Sequence, residues 1–238
     1  MKQLLLLDYD GTLTPIKKHP KLARLSPNRK ILLRKLARHP EIRMAIISGR
    51  KLADIKKMVG IPGLIYVGNH GFEIDAGGKY WLYPAAKKFI ARLKTVKAAL
   101  KKNIRYRGVF IEDKGLTLSV HYRLLSEKVF SAFKALFTRT VKSWGKTIKL
   151  THGKKVFEIR PPINWNKGKA IKWIIKRLKL KKHLPIYIGD DRTDEDAFRA
   201  LKKKGITILV GKNRKTAAIF TLNDINDVYK FLTLVSEP

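Results

Sequence analysis

Apolar and polar positions change rhythm along the chain. KQLLLLD (2–8), RMAIISG (43–49) and LIYVGN (64–69) are short, nearly continuous apolar runs. Between them, NRKILLRKLARHP (28–40) and LADIKKMVG (52–60) space their apolar residues three and four apart. That alternation predicts strand, helix, strand, helix, strand. The same rhythm returns in GKAIKWIIKRLKL (168–180), PIYIGDD (185–191), EDAFRALKKKG (195–205) and ITILVG (206–211). An α/β fold with a parallel sheet and right-handed crossovers is expected, its strands apolar throughout because helices cover both faces. The stretch between behaves otherwise. AAKKFIARLKTVKAALKK (85–102) and SEKVFSAFKALFTRTVKSW (126–144) read as helices. RYRGVFIEDKGLTLSVHYR (105–123) reads as two alternating strands around Glu112-Asp113-Lys114-Gly115, and KTIKLTHGKKVFEIRP (146–161) as a hairpin turning at His152-Gly153. Helix, hairpin, helix, hairpin describes an α+β module over residues 82–163, inserted between residues 1–81 and 164–238 of the sheet domain, with Tyr83-Pro84 and Pro161-Pro162 as punctuation. Phe89, Phe130, Phe133 and Phe137 recur at helical spacing and are expected to pack the insert's own core rather than to stack on bases. Trp165 and Trp173 are expected to wall the junction between domains.

Composition narrows the class. At 238 residues and 45% hydrophobic, the chain has material for a sizeable core. Its apolar runs stop far short of the ~18 residues a spanning helix needs, so no membrane contact is expected. Asp8 ends the first apolar run after four leucines, where a signal peptide needs roughly 7–15 apolar residues; a cytoplasmic location is expected. The absence of cysteine excludes disulfides, thiolate metal sites and a cysteine nucleophile. The charge is unusual: 53 Lys+Arg against 18 Asp+Glu gives +35, a field that attracts anions. Lys94, Lys97 and Lys101, and again Lys172, Lys176 and Lys179, fall at helix-surface spacing and read as a solvated coat. Nucleic acid or another polyanion, and attraction of a phosphorylated substrate, are the alternatives; nucleic acid is not favoured as the main function.

Acidic residues are used selectively. Seven of the eighteen, Asp8, Asp10, Asp190, Asp191, Asp194, Glu195 and Asp196, lie in two short stretches. Each stretch follows a predicted strand, as do Ser48, Gly49 and Arg50, and ligands in open α/β sheets bind outside the carboxyl ends of strands. Taken singly, Asp10-Gly11 reads as a turn, Asp194-Glu195 as a helix start and Lys167 as one more lysine. Together they crowd carboxylates that repel one another unless a proton or cation intervenes. A hard divalent ion with oxygen ligands, Mg²⁺, suits such a cluster. Lys167, Ser48 and Thr12 add a positive charge and two hydroxyl donors suited to a phosphate.

DYDGT (8–12), IISGR (46–50), Lys167 in NKGKA and GDDRTDEDAF (189–198) resemble the four signature motifs of the haloacid dehalogenase-like phosphohydrolases. The longer segments LDYDGTLTPI, GNHGFEI (68–74), IEDKGLTLSVHYR (111–123) and VFEIRPPINWNKGKAI (156–171) resemble the trehalose-6-phosphate phosphatase family within it. The resemblance implies a Rossmann-like core, an α+β cap between the second and third motifs, and hydrolysis of trehalose 6-phosphate to trehalose and phosphate. It implies Asp8 as nucleophile, forming an aspartyl-phosphate, and Asp10 as general acid and base. Mg²⁺ would be held by Asp8, the Asp10 main-chain carbonyl and Asp190, with Asp191 and Asp194 steadying a metal water or Lys167. Thr12, Ser48 and Lys167 would bind the phosphoryl oxygens. Glu112, Lys114 and Glu158 match sugar-reading positions; Arg50, Asn69, His70 and Arg123 match others near the substrate. A separate trehalose-phosphate synthase is the expected functional partner, because the chain leaves no room for a fused one, and a monomer is expected. The alternatives are a phosphatase for another sugar or sugar-acid phosphate, or a polyanion-binding protein that has kept the phosphatase shell.

Overall fold

In the computed structural model, residues 1–211 and 215–237 are described. The first part of the chain runs β1 (Gln3–Asp8), α1 (Pro27–Arg38), β2 (Ile42–Ile47), α2 (Leu52–Val59), β3 (Ile65–Gly68), β4 (Glu73–Ala76) and β5 (Lys79–Leu82). The middle runs α3 (Pro84–Lys87), α4 (Ile90–Asn103), β6 (Phe110–Asp113), β7 (Leu118–His121), α5 (Phe130–Lys142), β8 (Lys149–Gly153) and β9 (Val156–Arg160). The last part runs α6 (Lys167–Arg177), β10 (Leu184–Gly189), α7 (Glu195–Leu201), β11 (Ile206–Val210), β12 (Phe220–Leu222) and α8 (Ile225–Val235). Two compact units result, one of residues 1–81 with 165–238 and one of residues 82–164.

The larger unit is built on a sheet of order β12-β11-β10-β1-β2-β3-β4-β5. From β12 to β3 every pairing is parallel, and β4 runs antiparallel to β3. The chain steps outward from β1 through β2 to β3, then restarts at β10 and steps the other way through β11 to β12. The reversal therefore lies between β1 and β10, and the crevice at their carboxyl ends is where such sheets take ligands. The four leucines of β1 explain the centre of this sheet. Leu5 and Leu7 pack with Leu33 and Leu36 of α1, Ile55 of α2 and Val228 and Leu232 of α8. Leu4 and Leu6 face the other way, against Ile171 and Ile174 of α6 and Phe198 of α7. All four are fully buried, each contributing roughly 1.5–3 kcal/mol of transfer free energy. Helix boundaries follow local chemistry. Asn166 caps α6 by accepting the Lys169 N–H at 3.0 Å, which puts Lys167 in the first turn, and Gly60 closes α2 at φ 57°.

The smaller unit is an antiparallel sheet of order β6-β7-β9-β8 with α4 and α5 on one face. Phe133 and Phe137 of α5 pack on Phe157 of β9, whose ring stacks 4.4 Å from that of Phe137. The expectation for these rings, and for Phe89 and Phe130, matches this cluster. The opposite face carries the cross-strand row Glu112–Ser119–Glu158–Thr151. Both turns fall later than the sequence suggests. Glu112 and Asp113 belong to β6, whose turn is closed by the Lys114 N–H donating to the Thr117 carbonyl at 3.0 Å, with Gly115 at φ 81°. His152 and Gly153 belong to β8, and Lys155 takes the positive φ, 61°, of that turn. The hairpin β4–β5, β12 and α8 lie outside the elements predicted. Trp165 and Trp173 flank Trp81, at 5.6 and 4.4 Å between ring centroids, over the core cluster beneath α6.

Candidate active site

Two aspartates one residue apart stand at the mouth of an apolar run because Tyr9 between them turns inward. Its ring is fully buried and its hydroxyl donates to the Ala23 carbonyl at 2.8 Å. Asp8, the last residue of β1, is 5% exposed and accepts from Lys167 Nζ at 2.6 Å. The same ammonium donates to Asp194 Oδ1 at 2.7 Å, and that oxygen also accepts the Tyr187 hydroxyl at 2.6 Å. Asp194 Oδ2 accepts the Asp191 N–H at 2.9 Å, while the Asp191 carboxylate caps the same turn in return. Asp194 is thus held by three donors. Asp190, just past β10, completes the cluster: Asp8, Asp190 and Asp194 each offer an oxygen within 4.8 Å of the others.

The backbone approaches this cluster closely. Gly11, at φ 88°, would place a Cβ 2.1 Å from Asp190 Oδ2; only glycine fits there. Beside it Thr12 is fully buried, and its hydroxyl has no hydrogen-bond partner among the described residues. Such an orphaned donor is costly unless a ligand meets it. Ser48, at the end of β2, is 1% exposed, and its Oγ accepts the Arg50 N–H at 3.1 Å.

Burial pushes the Asp8 carboxyl well above its ordinary pKa; the Lys167 charge pulls it down, and the Asp194 and Asp190 charges push it up again. Burial alone would lower Lys167, but the Asp194 and Asp8 charges outweigh it and raise its pKa, so the ammonium stays charged. With all three carboxyls ionised, one ammonium would leave an excess of two negative charges, which one divalent cation would match. The donors are oxygens, with no sulfur or imidazole in the cluster, which fits a hard ion such as Mg²⁺. With Asp194 already bound to three donors, Asp8 and Asp190 are the carboxylates suited to hold the ion.

The other residues singled out from sequence occupy distinct places. The Asp10 carboxylate is clamped by Arg50 Nε at 2.7 Å and Nη2 at 2.6 Å. Arg50 also donates to the Pro20 carbonyl at 2.8 Å; expected beside a substrate, it is directed at Asp10. Asn69 and His70 follow β3 at φ 48° and 57°, a left-handed pair rare for non-glycine residues. Asn69 Nδ2 donates to Glu73 Oε2 at 2.6 Å, and the His70 ring packs where a Cβ on Gly49 would lie, 2.4 Å from its Cε1. Within the smaller unit, Glu158 Oε1 accepts from Ser119 Oγ at 2.6 Å and Lys114 Nζ at 3.1 Å. Glu112 Oε2 lies 2.7 Å from His121 Nε2, and Arg123 donates to the Lys154 carbonyl at 2.5 Å. Tyr187, Glu73, Ser119 and His121 escape the sequence reading. Each is a polar group in an apolar or alternating run, which is the one signal that could have found them.

Comparison with known proteins agrees. The family model described as Trehalose-phosphatase matches residues 6–226. A probable trehalose-phosphate phosphatase D of Arabidopsis thaliana is 36% identical over 253 residues, covering 99% of this chain and 68% of that protein. The trehalose-phosphate phosphatase of Mycobacterium tuberculosis is 37% identical over 234 residues, covering 94% of this chain and 59% of its own length. This chain therefore spans between about three fifths and two thirds of these relatives. The C-terminal domain of the Candida albicans trehalose-6-phosphate phosphatase superposes with a TM-score of 0.86 at 26% identity, covering 99% of this chain and 92% of that one. With its signature motifs gathered at the β1/β10 switch point and the match running through both units, this chain belongs to the trehalose-phosphatase family.

Proposed function

We propose that this chain hydrolyses trehalose 6-phosphate to trehalose and phosphate, using Asp8 as nucleophile. The single observation that carries the reading is the buried Asp8–Lys167–Asp194 array, with Asp190 close by, at the carboxyl ends of β1 and β10. An oxygen of Asp8 forms a bond to phosphorus as the bond from phosphorus to the sugar oxygen breaks, and Asp10 delivers a proton to that oxygen. Water then attacks the aspartyl-phosphate; Asp10 takes its proton, phosphate departs and the Asp8 carboxylate is restored. Lys167, Ser48 and the buried Thr12 hydroxyl bind the phosphoryl oxygens, whose charge grows in the transition state. Asp194 and Asp191 fix Lys167 and the turn that presents it. Asp8, Asp190 and the Asp10 main-chain carbonyl would hold Mg²⁺, which would supply the positive charge that lets a carboxylate meet a phosphate dianion.

The residue types of the smaller unit suit a disaccharide. Glu112, Glu158 and Lys114 offer acceptors and a donor of strict geometry on one face of a sheet, and we assign them to reading the sugar hydroxyls. Asn69, His70 and Arg123 are placed beside the substrate in the same reading, and Arg50 acts by aiming Asp10. The test is phosphate release from a panel of sugar phosphates, for the native chain and Asp8→Asn, with and without Mg²⁺. Trehalose 6-phosphate should rank first, require the metal, and lose about four orders of magnitude in the variant. Another sugar phosphate ranking first would overturn the substrate; full activity of Asp8→Asn would overturn the mechanism.

A further inference from the structure

The amino ends of the parallel strands carry a second concentration of charge, of opposite sign. Lys2 precedes β1, Arg43 is the exposed position of β2, Lys181 and Lys182 precede β10, and Lys202 and Lys204 precede β11. These strands are consecutive neighbours in the sheet, at about 4.8 Å spacing, which gathers the cations at one end of the sheet as a basic ridge, with Glu41 beside Lys2 as a carboxylate among them. All six are exposed, and none forms an ion pair with a carboxylate among the described residues. Their proximity registers on His183, whose partial burial, together with the Lys2 and Arg43 charges, lowers its pKa despite Glu41 close by. Next to the ridge, a shallow, open groove of about 370 Å³ lies along one face of α1 between Ile31, Arg34, Lys35, Arg38 and His39, its floor made mostly of their apolar atoms and its charges at the rim. Three of its five lining residues are Lys or Arg, and none is Phe, Tyr or Trp.

Substrate capture does not account for this surface. The length of β1, which ends at Asp8, separates it from that carboxylate by about 20 Å, and at physiological salt the Debye length is about 8 Å. Little of its field reaches the catalytic end. A solvated coat explains isolated lysines, but like charges set side by side cost energy unless an anion with matching repeated charge offsets it. Arginine forks match phosphate oxygens in pairs, and without Phe, Tyr or Trp the groove offers charge to a backbone more than a stacking platform to bases.

We propose that the α1 groove and the adjoining strand-end ridge form a docking surface for the phosphodiester backbone of a nucleic acid, bound without regard to sequence and separately from phosphatase turnover. Contacts to backbone alone give affinity that falls steeply with salt.

Fluorescence anisotropy of a labelled random 20-base-pair DNA duplex, titrated between 50 and 200 mM KCl, tests this with two variants of the full chain. The first carries Arg34→Gln, Arg38→Gln, Lys181→Gln and Lys182→Gln. The second removes as much charge elsewhere, through Lys94→Gln, Lys101→Gln, Lys172→Gln and Lys176→Gln. The expected result is at least about tenfold weaker binding and a log–log salt slope shallower by about 3 to 4 in the first variant alone. Phosphate release and the thermal midpoint should stay at native values in both, which separates failure of this proposal from failure of the phosphatase reading. Equal weakening in both variants would overturn it, showing charge spread over the whole surface. So would absence of duplex binding at 100 mM KCl, or vesicles with about one third anionic lipid outcompeting the duplex.

Discussion

The two sets of carboxylates are held by different physics. At the carboxyl ends of β1 and β10, Asp8 and Asp194 share one ammonium, glycine backbone lies against Asp190, and the charges do not cancel. On the polar face of the smaller sheet, Glu158 takes a serine hydroxyl and Lys114, Glu112 takes a histidine, and each carboxylate has its own partner. The first arrangement stores unbalanced charge that a cation and a phosphoryl group can discharge, so it suits chemistry. The second is a quiet lattice of fixed acceptors and donors, so it suits recognition. Under the proposed function, effects on kcat belong to the first region and effects on KM to the second.

The largest effect should come from Lys167→Ala, which leaves Asp8 and Asp194 buried without their counter-charge. Loss of one partner of such a pair costs about 3–5 kcal/mol of stability, and kcat should fall by about three orders of magnitude or more. Denaturant unfolding with and without Mg²⁺ checks it, the metal recovering part of the stability. Next, Glu158→Gln should raise KM for trehalose 6-phosphate by about 10- to 100-fold while kcat changes little. A fall in kcat at unchanged KM would erase the division between the regions.

A smaller loss, about 1–2 kcal/mol in stability, is expected for Tyr187→Phe, which strips Asp194 of one of its three donors; calorimetry reads it. Smallest is the pH response of Glu112. Burial would raise its carboxyl, but the His121 hydrogen bond and the Lys114 charge outweigh it and hold the pKa below the ordinary value. Folded Glu112 therefore binds protons more weakly than unfolded Glu112. Its contribution is complete above the unfolded carboxylate value and disappears as pH falls through the lower folded value. The thermal midpoint of the native chain should drop more between about pH 5 and 3 than that of His121→Phe, by a few degrees at most.

The sequence by itself determined the α/β alternation, the α+β middle and the grouping of acids at strand ends, because burial periodicity and strand-end chemistry are local properties that a window of a few residues carries. Asp8, Lys167, Asp190 and Asp194 were legible for that reason. The tertiary structure alone decided who meets whom. Lys167 reaches Asp8 across 159 residues of chain, and Arg50 reaches Asp10 across 40, because strand order sets β1 between β2 and β10. It also placed Tyr187, Ser119 and His121 as silent partners and moved both turns of the smaller sheet, since register depends on which faces are covered. Cation by cation, the basic ridge was in the sequence; that its lysines and Arg43 gather at one end of the sheet is a consequence of strands adjacent in space and distant in sequence.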